Sequence, residues 1–153
     1  MSKFIRRLKI NLVLFLKFLK IEVPPIPTVS CIIEKDKKIL MLHLNYRSGY
    51  ALPGGGIQAG ENAEEAVIRE CKEELGQIPT KLNYFSSAST EKDGLDMFHI
   101  SFTGDLTSTE FTISSEGTPE WLDLKDALVY CAYKDQIKIL ELYKKINHEI
   151  SLL

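Results

Sequence analysis

Between residues 54 and 76 a run of three glycines is followed by glutamates at helical spacing, and no other stretch constrains this chain as tightly. Each residue of an α-helix turns about 100°, so Glu70, Glu73 and Glu74, at i, i+3 and i+4, share an arc of ~100° on one face. Three carboxylates held that close repel one another and weaken a bare helix. A cation relieves the repulsion, and hard oxygen donors suit Mg²⁺ or Mn²⁺, which commonly bind together with substrate phosphates. Arg69 is four residues from both Glu65 and Glu73 and can pair with either, holding the carboxylates in place. Gly54, Gly55 and Gly56 let the backbone turn sharply and approach a ligand closely, and a peptide carbonyl there is a further donor. Metal beside phosphate suggests attack of an activated water on a phosphoanhydride.

The rest of the chain frames this segment. With 153 residues it makes one domain that buries a sizeable core. Residues 1–22 read as an amphipathic basic helix, with Phe4, Ile5, Leu8, Leu12, Phe15, Leu16 and Leu19 at three- and four-residue spacings. Pro24, Pro25 and Pro27 end it, making 23–27 a stiff linker to a domain over 28–153. The apolar runs Thr28–Ile33 and Ile39–Leu44, separated by a charged turn, read as a β-hairpin. Residues 62–75 read as a helix stopped at Gly76. Strands are expected over 82–88 and 95–103, with short ones at 111–114 and 119–122. One last helix, capped by Asp123 or Asp126, runs to about residue 149. The class is α/β with a mixed sheet.

Charge is divided unevenly. Residues 1–20 hold six of the 19 basic residues and none of the 21 acidic ones, so the remainder is strongly acidic. An acidic body is a poor generic binder of nucleic acid, and none is expected as a partner. The longest uncharged stretch of the first helix, Ile10 to Leu16, is far short of the ~20 residues of a membrane span. Three partners fit this helix: the domain's own core, a second copy in a homodimer, or an anionic membrane surface touched peripherally through residues 1–22. Cys31, Cys71 and Cys131 are widely spaced with no CxxC pair, which argues against a disulfide framework or structural zinc and for a reducing, cytoplasmic setting, with membrane association as its variant.

Gly55, Glu61, Arg69, Glu70, Glu73, Glu74 and Gly76 occupy all seven fixed places of the Nudix box, G-x5-E-x7-R-E-U-x-E-E-x-G-U with U a bulky apolar residue. A chance match arises in roughly 10⁻⁹ to 10⁻⁸ of windows at average composition. Two U places depart: Cys71 is small and Gln77 is polar. Tyr50-Ala51-Leu52-Pro53-Gly54-Gly55 resembles the segment that leads into the family's box, and Glu120-Trp121 its late strand. The chain thus resembles the MutT-like Nudix hydrolases over residues 26–149. The resemblance implies an α/β/α sandwich with a mixed β-sheet, here with an added N-terminal helix. It implies hydrolysis of a nucleoside diphosphate linked to another moiety, using Mg²⁺ or Mn²⁺. Glu73 and Glu74 match the principal metal ligands, and Glu70 a ligand that serves some members as general base. Arg69 matches the residue orienting them, Glu61 a direct or water-mediated ligand or a structural contact, and the Gly54 carbonyl a backbone ligand. Glu116 matches an extra loop carboxylate, with Glu110 and Glu120 as rivals. Arg47, Tyr50, Gly55 and Gly56 are candidates for substrate binding.

Other readings compete. A Nudix-fold module that binds a nucleotide without cutting it is the alternative, but degenerate modules usually lose box glutamates and this chain keeps them all. Lys92-Asp93-Gly94 occupies the region where some subfamilies carry a proline for ADP-ribose or a tyrosine for dinucleoside polyphosphates, so a nucleoside triphosphate is favoured by elimination. His43, His99 and His148 read as surface or strand histidines. Phe85 and Phe98 are core residues before they are base-stacking ones.

Overall fold

The computed structural model describes residues 3–92, 95–112 and 114–150. Helix α1 (Lys3–Phe18) ends four residues before the expected boundary, and Lys20 beyond it takes a left-handed conformation. Strands β1 (Ile26–Ile32) and β3 (Lys38–Leu44) carry the two apolar runs, but they do not pair as a hairpin. The hairpin is the short ribbon β2 (Glu34–Lys35) against the start of β3. Its turn, Asp36-Lys37, has positive φ at both residues, as a two-residue turn between twisted strands requires.

β1 lies instead in a four-stranded mixed sheet. It runs antiparallel to β5 (Gly54–Gly56) and parallel to β7 (Leu95–Asp105), and β7 runs antiparallel to β6 (Thr80–Lys92). β3 belongs to a second sheet, between β8 (Gly117–Asp123) on one side and β2 with β4 (Tyr50–Ala51) on the other. Two continuous apolar runs suggest one hairpin, but apolar composition marks a strand buried on both faces without naming its partner.

Alternation along β1 and β3 sorts the core into two halves. Val29, Cys31, Leu40, Leu42 and Leu44 meet Ala66, Val67, Cys71 and Leu75 of helix α2 (Ala63–Leu75). Ile32, Ile39 and Met41 meet Ala127, Ile139 and Leu140 of α3 (Leu124–Tyr130) and α4 (Lys134–Ile150). The result is the expected α/β/α sandwich. The single C-terminal helix is corrected to two, broken at Cys131, whose backbone bridges to Tyr50. Asp123 stands at the N-cap of α3 without a side-chain cap bond. Phe111, Thr112 and Ser114 form no strand, and Ile113 lies outside the described residues, as do Asp93, Gly94 and residues 1, 2 and 151–153.

Candidate active site around the glutamate helix

The ends of α2 are fixed before any site chemistry is considered. Asn62 accepts from the Glu65 amide and Glu65 accepts from the Asn62 amide, both at 2.9 Å, a reciprocal capping box. Such a cap contributes about 1 kcal/mol. At the other end Gly76 takes the left-handed conformation at φ 73°, and its N–H returns to the Lys72 carbonyl. The polar departure at Gln77 has a use. Its Nε2 donates to the Glu110 carbonyl at 2.6 Å and its Oε1 accepts from the Ser108 amide at 3.3 Å, pinning the loop beyond the helix.

Arg69 organises the face that α2 turns toward β5. Its guanidinium donates to Glu61 at 2.5 and 3.0 Å, to Glu70 at 2.8 Å and to the Gly56 carbonyl at 3.0 Å, with Glu73 at 3.6 Å. The expected pairing with Glu65 is absent because Glu65 is committed to the cap. Glu61 is held from its other side by the Gln58 amide. Hydrogen bonds from Arg69 and Gln58 lower the Glu61 carboxyl below the usual range.

Glu74 is 5% exposed and accepts from the Gly54 amide at 2.8 Å. Burial pushes its carboxyl well above the ordinary value; the Gly54 bond opposes this, while the charges of Glu70, Glu116 and Glu73 add to it. Glu70 is raised in the same way by burial, against the pull of Arg69. Glycine is required at Gly54, and at Gly55 a larger residue would displace the Glu70 carboxylate. Gly54 has φ 150° and a Cβ on it would run into the Val29 carbonyl, while a Cβ on Gly55 would fall 2.5 Å from the Glu70 carboxylate.

Glu116, in the loop before β8, is the one group beyond α2 whose charge reaches both Glu70 and Glu74 among the described residues. Its rivals are placed differently. Glu120 accepts from the Tyr50 hydroxyl at 2.9 Å, and Glu110 lies beside Gln77 past the end of α2. Among the described residues no three acidic, imidazole or thiol side chains form a ready-made metal cage. Mutually repelling carboxylates have taken the N–H donors around them, Arg69 and the Gly54 amide. Of the expected ligands, Gly54 is seen giving its amide rather than its carbonyl.

The proposed substrate contacts divide. Gly55 and Gly56 lie on the edge strand β5 beside Glu70 and Arg69. Tyr50 packs with the α3–α4 half of the core under the His43 ring, on the face of the sheet away from α2. Arg47 stacks over the Tyr133 ring at 5.2 Å. Neither touches the carboxylates of α2.

His99, expected as a surface or strand histidine, is on strand β7 and is buried there. His99 is 3% exposed and lies between the Thr28 and Ser30 hydroxyls, each at 2.9 Å, with Asp135 at 3.6 Å. Phase was the available signal: His99 and Ser101 fall on one face of β7, opposite a serine inside the apolar run of β1. Phe85 packs edge-on against Tyr143 in the core as expected, whereas Phe98 is exposed.

The NUDIX domain profile matches residues 24–143. An ADP-ribose pyrophosphatase from Methanocaldococcus jannaschii is 36% identical over 118 residues, covering 72% of this chain and 69% of that protein. A CTP pyrophosphohydrolase from Escherichia coli is 31% identical over 131 residues, covering 80% and 93%. Among solved structures, the MutT protein from Methanosarcina mazei Go1 superposes with a TM-score of 0.69 at 25% identity, covering 83% of this chain and 98% of that one.

Proposed function

The chain belongs to the NUDIX domain family as a MutT-like, Nudix-type pyrophosphohydrolase, and on that premise we propose that it hydrolyses a phosphoanhydride bond in a nucleoside diphosphate linked to another moiety, with a divalent metal. The observation that carries this reading is the carboxylate cluster: Arg69 ties Glu61 and Glu70 beside the buried Glu74, and the charge of Glu116 reaches across to both Glu70 and Glu74. So much negative charge around one cation is a poor arrangement for stability alone and a good one for divalent metal.

The residues fit Mg²⁺ or Mn²⁺ by their chemistry, all being hard oxygen donors. Glu73, Glu74, Glu70, Glu61, Glu116 and the Gly54 carbonyl would hold the ion, which when bound supplies charge neutralisation to the phosphates and acidifies a water. Arg69 keeps Glu61 and Glu70 apart and oriented. Glu70 is the proposed general base: burial raises its carboxyl toward the pH at which it accepts a proton readily. β5 has β1 on one side only, leaving the Gly55–Gly56 edge for contact with phosphate oxygens. Tyr50 and Arg47 act at a distance from the carboxylates, toward the non-reacting end of the substrate.

A nucleoside triphosphate is the favoured substrate class, supported by the likeness to the CTP pyrophosphohydrolase along nearly its whole length. The likeness to an ADP-ribose pyrophosphatase supports a second class, a nucleoside diphosphate joined to a sugar. A phosphate-release screen over nucleotides, dinucleotides and nucleotide sugars separates them. Hydrolysis is expected to stop in EDTA and to return with Mg²⁺ or Mn²⁺. Full hydrolysis in chelator at about pH 7–9 contradicts the metal assignment.

A further inference from the structure

We propose that α1 is a docking helix that lays the protein on an anionic lipid surface, a role separate from catalysis. Helical spacing puts positions 4, 5, 8, 12, 15, 16 and 18 on one arc of ~160°, interrupted by Asn11 alone. The basic positions 3, 6, 7, 9 and 17 lie on the opposite arc, with Arg7 and Lys9 at its two borders, and share it with Ile10, Val13 and Leu14. Among the described side chains of the apolar arc, Leu16 alone is half-buried and the others stand out from the body. Leu12 and Phe15 are each 56% exposed and Phe18 is 81% exposed. The described residues turned inward are Ile10, Val13, Leu16 and Lys17, all half-buried, and Lys17 pairs with Asp96 of β7 at 2.8 Å. Packing on the domain's own core, one of the three expected roles, is therefore not how the described part of this helix is used.

Charge decides between the other two. Two such helices placed face to face would join basic borders with no carboxylate on either segment to offset them, whereas paired helices normally carry complementary charges beside the seam. An anionic surface accepts both halves of the helix, the apolar arc below the headgroups and the basic borders among them. The acidic remainder of the chain is repelled by the same surface, so contact is confined to α1. No helix among the described residues is long and apolar enough to cross a membrane, which fits a helix lying in the interface plane.

The test is sedimentation of the full-length protein with vesicles of phosphatidylcholine alone or with about one third phosphatidylglycerol. At least ~10-fold more protein is expected on the anionic vesicles at low ionic strength, with release in about 1 M salt, where the Debye length is about 3 Å. Leu12→Glu with Phe15→Glu should abolish binding while nucleotide hydrolysis continues. Arg6→Gln, Arg7→Gln and Lys9→Gln together should also abolish it, and this variant keeps every apolar residue should the first aggregate. Equal binding to both vesicle types, retention by the charge-neutralised variant, or no binding at all overturns the proposal. So does a dimeric mass in solution that Leu12→Glu halves, which would give the helix to a second copy.

Discussion

α1 and α2 are both amphipathic, yet they are placed by different means. α2 is fixed at its start by Asn62 and Glu65, at its end by Gly76, and along its length by Arg69 and by the Glu74 bond to Gly54. It also buries Ala66, Val67, Cys71 and Leu75 against the sheet. α1 has no acidic residue in its first turn to offset the positive end of the helix dipole, and among its described side chains Leu12, Leu14, Phe15 and Phe18 are left to solvent. Specific polar pairs determine where a helix sits, while amphipathicity alone determines only that it needs a surface. Changes on α2 should therefore be expensive, and changes on α1 nearly silent in the isolated protein.

The largest effect is expected at Glu73 and Glu74. Replacing either with Gln keeps its shape and removes a charge from the cluster. Turnover should fall by about 10²-fold or more, comparable to removing a preorganised electrostatic group. Purified Glu74→Gln protein with wild-type turnover in Mg²⁺ would remove Glu74 from the metal set. Glu116 comes next, with a loss of roughly tenfold, about 1.4 kcal/mol of barrier. Glu110→Gln and Glu120→Gln are the controls, expected to stay within about twofold because one lies past the end of α2 and the other serves Tyr50. A larger loss at Glu120 than at Glu116 would reassign the loop carboxylate.

These effects also show how far the sequence could be read. The box spacing placed Arg69, Glu70, Glu73 and Glu74 together because helical periodicity is a local property. Arg69 could not be matched to Glu61 in the same way, since Glu61 precedes the helix and its position depends on the Gln58 turn. The pairing of β1 with β7 joins residues about seventy positions apart and leaves no local trace. The break between α3 and α4 carries no glycine or proline; it follows from backbone bonds between Tyr50 and the segment at Cys131 and Ala132.

A smaller effect is expected in stability against pH. Burial raises the Glu74 carboxyl above its ordinary 4.5. A carboxyl raised in the folded state binds its proton more tightly there, so its contribution is full below about 4.5 and is lost as pH rises through the folded value. In EDTA, Glu74→Gln should therefore gain on the wild type as pH goes from about 5 to about 8, by a few °C in melting temperature for about 1 kcal/mol. Glu70 acts in the same direction in both proteins and largely cancels in the difference. Glu61, which is lowered, loses its contribution on acidification and cancels too. A melting difference that does not change with pH would show that Glu74 is not strained by burial.

The smallest effect belongs to the ion pair that joins α1 to the body. Lys17 and Asp96 approach to 2.8 Å, but their side chains are 31% and 52% exposed. Water screens such a pair, and ordering two mobile side chains offsets much of the Coulomb gain, so exposed pairs contribute roughly 0–1 kcal/mol. Lys17→Ala should shift the melting temperature by less than ~3 °C and leave turnover unchanged, because its ion-pair partner Asp96 belongs to β7 and not to the glutamates of α2. The same substitution made with Asp96→Ala tests coupling: the double variant should differ from the sum of the single ones by under ~1 kcal/mol. A loss of several kcal/mol, or a fall in turnover, would mean that α1 is built into the domain as firmly as α2, and the contrast between the two helices would fail at its weakest link.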